Sequence, residues 1–214
     1  ITLDKQAVGR MSCNPAIGGL AKGQIVKEID VLGGIMGLAT DASGLQFKIL
    51  NRTKGKSVWS PRAQVDKREY EKFVSSRINK NIAVVEGEVV DVKIKSGCVV
   101  GVVLRDKSTF DAPCVVLTCG TFLGGLIHVG QKKIRAGRMG EGAAEGITEA
   151  LVSLGFNTSR LKTGTPPRLD KKTIDWKKTT EVFGDKKPLP FSYRTKHFDP
   201  RMLPCHSVQT NAAS

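Results

Sequence analysis

Four short apolar runs follow one another between Ile82 and Leu117: Ile82 to Val85, Glu88 to Lys95, Val99 to Asp106 and Pro113 to Leu117. Their length and β-branched content read as strands, and Ser96-Gly97 and Asp106-Lys107-Ser108 supply turns between the middle ones. The first three make a small antiparallel meander. The fourth, leading into Thr118-Cys119-Gly120, is apolar without alternation and predicts a buried strand with Thr118 to Thr121 at its carboxyl end, where open α/β sheets hold ligands.

Helical periodicity flanks this block, which makes the chain α/β. From Leu20 to Leu32 the residues Leu20, Ile25, Val26, Ile29 and Leu32 fall on one face, with Lys22, Lys27, Glu28 and Asp30 opposite, and Gly33-Gly34 ends the helix. A second helix is predicted over Ala63 to Ile78 and a third from about Ala144 to Leu154. Residues 35–62 mix apolar residues with Gly, Asn, Ser and Pro and read as a cationic loop carrying Lys48, Arg52, Lys54, Lys56 and Arg62. Prolines multiply after Lys162 and periodicity fades, placing a domain boundary near Thr165. Gly140-Glu141-Gly142-Ala143-Ala144-Glu145-Gly146 opens a helix but follows no strand, so it is no dinucleotide fingerprint.

The net charge of +14 over 214 residues, from 34 Lys and Arg against 20 Asp and Glu, favours a polyanionic partner, nucleic acid above all. After Thr165, Arg168 and six lysines interleave with Trp176, Phe183, Phe191, Tyr193 and Phe198, a mixture that suits unstacked RNA bases or, equally, a small core with a solvated face. The five cysteines are odd in number with no CxxC pair, and the three histidines show no ligand spacing, so neither a disulfide scaffold nor a metal site is expected. No apolar run is long enough to span a bilayer. The cytoplasm is the default compartment.

Chemistry concentrates in Met11-Ser12-Cys13-Asn14-Pro15-Ala16-Ile17-Gly18-Gly19. A thiol before an Asn-Pro turn and a glycine pair, with a helix following, predicts free backbone N–H groups at a helix start and a setting that favours an anion and a reactive sulfur. An ordinary turn with a buried structural cysteine fits the same residues.

This stretch, continuing through Leu20-Ala21-Lys22-Gly23 to Gly37, closely resembles the MnmG (GidA) family of flavoproteins, the tRNA uridine 5-carboxymethylaminomethyl modification enzymes. Four further segments match in order: Ile49-Leu50-Asn51-Arg52 through Pro61-Arg62-Ala63-Gln64, Leu117 to Leu123, Arg160-Leu161-Lys162-Thr163-Gly164-Thr165-Pro166-Pro167-Arg168, and Pro204-Cys205 with Thr210-Asn211. The resemblance implies a Rossmann-like, glutathione-reductase-like FAD-binding domain with an antiparallel meander over residues 1–165, its first βα unit and glycine turn missing, and the beginning of an inserted second α/β domain over 166–214. The chain opens at Ile1 and reads as a fragment.

By the same resemblance the activity is addition of an aminomethyl or carboxymethylaminomethyl group to C5 of the wobble uridine of tRNA. FAD is the cofactor, methylene-tetrahydrofolate and NADH are co-substrates, and the GTPase MnmE is the partner, with a homodimer inside a heterotetramer. Cys13 is the candidate for the catalytic thiol or for a redox partner of the flavin. Asn14, Pro15, Gly18, Gly19, Val89, Thr118, Gly120 and Thr121 are the implied FAD contacts, while Lys54, Lys56, Arg62 and Arg168 are candidates for RNA binding. Two alternatives stand beside this reading: a folate- and FAD-dependent tRNA uracil C5-methyltransferase, and a non-catalytic RNA-binding module.

Overall fold

The computed structural model describes residues 1–164 and 168–211. In chain order the elements are β1 (Ala16–Gly18), α1 (Gly23–Val31), α2 (Met36–Ser43), β2 (Gly44–Leu50), β3 (Ser60–Val65), α3 (Lys67–Ser76), β4 (Val89–Lys95), β5 (Cys98–Leu104), β6 (Thr109–Asp111), β7 (Leu126–Val129), β8 (Lys132–Arg135), α4 (Ile147–Ser153), β9 (Thr180–Val182) and β10 (Cys205–Ser207). Contacts divide the chain into two compact units, Ile1–Gln6 with Asn81–Thr163, and Ala7–Lys80 with the segment from Gly164 onward. The boundary predicted near Thr165 lies outside the described residues.

In the second of these units β3 is the centre of a three-stranded antiparallel sheet, between β1 and β2. Ile17, Phe47, Ala63 and Val65 of this sheet bury against Val26 of α1, Ala39 of α2, Tyr70 of α3 and Phe191. Helix α3 starts where Asp66 caps it, its carboxylate accepting the Arg68 and Glu69 N–H groups at 2.9 and 3.2 Å, a cap worth about 1 kcal/mol. That cap corrects the helix predicted from Ala63: Ala63 lies in β3, because the central strand must run on until Val65 has paired with Gly44. The loop predicted over 35–62 is likewise replaced at both ends, by α2 and β2 before it and β3 after it, leaving residues 51–59 as the loop.

Helix α1 turns a different face inward from the one its pattern suggests. Gly23, Val26 and Asp30 are buried, while Leu20, Ile25, Ile29 and Leu32 are exposed. Two contacts impose this. Gly23 lies against Pro61, where a Cβ would come within 2.8 Å of the ring Cδ, and Asp30 is anchored by the 192–194 backbone and side chains. The outer edge of β2 is covered by later sequence: the Asp185 N–H donates to the Phe47 carbonyl at 2.8 Å and the Leu203 N–H to the Leu45 carbonyl at 2.7 Å.

The other unit holds the meander. β4 and β5 form a hairpin whose turn residues Ser96 and Gly97 both have positive φ, 52° and 78°, as a two-residue turn matching strand twist requires. β6 completes it beyond the turn at Lys107. β7 and β8 make a separate hairpin, and α4 is capped by the Glu149 carboxylate on the Gly146 N–H at 3.0 Å. Two predicted strands do not form. Ile82 to Val85 contributes a Val85 carbonyl to Thr2, next to a single parallel bridge between Thr2 and Glu86. Pro113 to Cys119 forms no strand and is largely exposed, with Val116 83% accessible, so the prediction of a buried strand fails. An apolar run becomes a strand only where neighbours take its N–H and C=O groups, and among the described residues no strand lies alongside it.

Candidate functional site

Cys13 sits in the loop entering β1, so the turn after it runs into a strand and not directly into α1. This corrects the picture of free amides at a helix start. The Val65 N–H donates to the Pro15 carbonyl at 2.8 Å, Gly18 lies opposite Arg62 in the sheet, and the Gly19 N–H donates to the Pro61 carbonyl at 2.8 Å. Gly18 (φ 79°) and Gly19 (φ 98°) are needed for backbone shape, and a side chain on Gly18 would strike the Phe191 ring.

What surrounds Cys13 is cationic. Its carbonyl accepts from Lys67 Nζ at 3.2 Å and from Arg168 Nη2 at 2.8 Å, and Lys67 also reaches the Met11 carbonyl at 3.4 Å. The half-buried Cys13 Sγ donates to the Gly164 carbonyl at 3.6 Å. Distant sequence thus meets here: Lys67 at the start of α3, and Gly164 and Arg168 flanking a stretch outside the described residues that includes Thr165, Pro166 and Pro167. Arg10, close to Cys13 in sequence, points its charge at Glu71, 3.3 Å away. Lys67 escaped sequence reasoning because it reads as an outward helix residue.

Lys54 and Lys56 are exposed on the loop between β2 and β3. Trp59 closes that loop, its Nε1–H donating to the Lys54 carbonyl at 3.2 Å, with the Arg52 guanidinium 5.5 Å above its ring. Arg62 lies on β3 directly opposite Lys48 on β2. Lys27, Lys48, Trp59, Arg62, Asp185 and Phe191 are among the residues lining a cleft of about 450 Å³ including its open mouth.

The remaining candidates belong to the meander unit. Val89 begins β4, half-buried opposite Leu104. Thr118 and Gly120 are exposed, and Thr121 Oγ1 donates to the Gly137 carbonyl at 3.3 Å. Gly120 has φ 59° and open space where a Cβ would stand, so its peptide groups are presented bare. Among the described residues no group of three or more His, Cys, Asp or Glu could hold a metal ion.

The strongest electrostatic feature was invisible in the sequence. Asp30 accepts from Ser192 Oγ at 2.6 Å, the Tyr193 N–H at 2.9 Å and Arg194 Nη2 at 3.0 Å. Asp41 accepts from the Phe191 and Ser192 N–H groups at 2.7 and 2.9 Å and from Thr195 Oγ1 at 2.5 Å. Burial pushes the Asp30 carboxyl up, but hydrogen bonds from Ser192, Arg194 and Tyr193 with the Arg194 charge outweigh it and hold it below the ordinary range. For Asp41 burial wins over the same kind of bonds and raises it. Burial lowers Lys27, against the pull of Asp41 and Asp30, and its Nζ donates to the Pro190 carbonyl at 2.9 Å.

Comparison with known proteins adds the lineage. The family described as Glucose inhibited division protein A, GIDA, matches residues 1–214. The chain belongs to the GidA family. Named relatives include the tRNA uridine 5-carboxymethylaminomethyl modification enzyme MnmG of Nitratiruptor sp., 49% identical over 99% of this chain, and that of Thermodesulfovibrio yellowstonii, 45% identical over 98%. The chain spans 34% of the length of each. The crystal structure of Aquifex aeolicus GidA matches 95% of the chain and 35% of its own length, at 44% identity and a TM-score of 0.87. This GidA segment therefore has the mixed α/β fold of that structure, in keeping with the expected Rossmann-like FAD-binding class. Among the described residues no helix is long and apolar enough to cross a membrane.

Proposed function

We propose that the protein carrying this chain modifies tRNA, installing an aminomethyl or carboxymethylaminomethyl group at C5 of the wobble uridine. The observation that carries the reading is the match along all 214 residues to a family whose named relatives are tRNA uridine modification enzymes. In this proposal FAD is the cofactor, methylene-tetrahydrofolate and NADH are co-substrates, and a homodimer works with the GTPase MnmE in the cytoplasm. Bare peptide groups at Gly120, next to Thr118 and Thr121, fit close approach of a flat nucleotide cofactor, with Val89 of the same unit as a further contact. FAD supplies the redox chemistry when bound.

Cys13 acts on the uracil ring. Carbon 5 is a poor nucleophile until its double bond is broken, and addition of the Cys13 thiolate to C6 moves that electron pair onto C5. C5 then bonds the methylene carbon of an iminium made from the folate-derived one-carbon unit and an amine, the C=N electron pair passing to nitrogen to leave the aminomethyl group, and C5 loses its proton. The C6–Sγ bond breaks, restoring the ring double bond and the thiolate. Lys67 and Arg168, fixed on the Cys13 carbonyl, hold the loop and supply positive charge around a ring that becomes anionic. Nucleoside mass spectrometry of tRNA from cells carrying Cys13→Ser as the only copy tests this: the modified uridine is lost, whereas Cys98→Ser and Cys114→Ser, at exposed thiols, retain it. Normal modification with Cys13→Ser would leave the thiol a structural residue.

A further inference from the structure

Two cations face each other across the β2–β3 ladder, and among the described residues no carboxylate pairs with either. Lys48 and Arg62 are register partners, so their side chains leave the same face of the sheet, and among the described residues neither makes a hydrogen bond or an ion pair. Like charges directly opposite are destabilising in a sheet. The nearest carboxylate on the cleft wall is already committed, because Asp185 accepts from the Arg52 guanidinium at 2.7 Å and from the Ile49 N–H at 3.0 Å. Lys27, also lining the cleft, has Asp41 and Asp30 near enough to favour its charge and donates to the Pro190 carbonyl. The sheet therefore spends stability to hold an unpaired cation pair at the mouth of a cleft.

An aromatic plane stands beside that pair. Trp59 lines the same cleft, and its ring is held by the Nε1–H bond to Lys54 and by Arg52 over it. A fixed aromatic ring within one cleft of two uncompensated cations is the arrangement that takes an unstacked base and its phosphate.

We propose that this cleft binds one nucleotide of the RNA substrate in single-stranded form, its phosphate between Lys48 and Arg62 and its base on Trp59. The inference rests on the tRNA reading above and names where the strand is gripped. It reassigns the contact from the exposed Lys54 and Lys56 to the sheet residues behind them.

The test is fluorescence anisotropy of a labelled tRNA anticodon stem-loop on the full-length protein, titrated at several salt concentrations, for the wild type, Lys48→Gln, Arg62→Gln, the double variant and Trp59→Ala. Each lost phosphate contact flattens the slope of log affinity against log salt by about 0.7. Trp59→Ala weakens binding about 5- to 150-fold with the slope unchanged. Without RNA, Lys48→Gln raises the melting temperature, because it removes the repulsion. That readout separates a binding defect from unfolding. A double variant with wild-type affinity and slope overturns the cleft while leaving the tRNA reading intact. A wild type that binds no RNA overturns both.

Discussion

Replacing Asp30 with alanine is the most informative single change. Its carboxylate, 2% exposed, holds Ser192, Tyr193 and Arg194 to the end of α1. Two of the three bonds come from neutral donors to a charged acceptor, each worth about 1.5–3 kcal/mol. The Arg194 partnership is discounted to roughly 1 kcal/mol or less, because that side chain is 41% exposed and also bonds the Gly33 and Gly34 carbonyls. Alanine further strands the Tyr193 N–H. Allowing for re-solvation of the freed donors, the loss comes to about 3–5 kcal/mol, a large share of the 5–15 kcal/mol typical of a domain. Denaturant titration of the full-length protein measures this. Limited trypsin digestion localises it, since Lys187, Arg194, Lys196 and Arg201 flank the released segment. Asp30→Asn, which keeps one acceptor oxygen, falls in between. A loss below about 1 kcal/mol with unchanged trypsin sensitivity would refute the claim that Asp30 docks this segment.

Gly23→Ala puts a methyl against Pro61, and the overpacking cost of about 1–3 kcal/mol exceeds the helix-propensity gain of up to about 1, so the melting temperature falls; a neutral or raised value would mean that α1 does not sit this tightly on β3. The acidic pair gives opposite pH signs. Asp41, raised above its unfolded value of 3.8, takes up its proton first in the folded state, so its contribution to stability increases as pH falls through the raised value towards 3.8. Asp30, held below 3.8, stabilises fully above that pH and loses its contribution as pH drops beneath it. The stability gap between the wild type and Asp41→Asn therefore widens on acidification from neutrality towards pH 4, and a gap independent of pH would contradict the burial argument.

The sequence revealed elements whose instructions are local. Ser96-Gly97 dictates the β4–β5 turn, which was legible; α4 was legible as a helix, but its start, set by Gly146 and Glu149 at Ile147, was placed too early, near Ala144. Ala63 was misread because its role is set by strands on either side of β3, which no window around it contains. The orientation of α1 was misread for a related reason. A carboxylate among Ile25, Ile29 and Leu32 looks like a solvent residue until Ser192, Tyr193 and Arg194, more than 160 positions away, come into view. Within the candidate site, the Cys13 motif stood out by composition alone, whereas Lys67 and the juxtaposition of Lys48 with Arg62 exist only once the sheet has paired.

The coverage of β2 by Asp185 and Leu203 sets a timetable for the nascent chain. Residues 44–50 leave the ribosome with one side of the strand unmatched, and the groups that close it are made some 150 residues later, roughly 10–30 s at ordinary elongation rates. Throughout that interval the strand is an open template for pairing with another chain. Lys48 interrupts that edge with charge, so the repulsion it brings to the finished sheet also guards the unfinished one. A substitution that neutralises Lys48 would thus be paid back during synthesis, as aggregation of a protein whose mature form is no less stable.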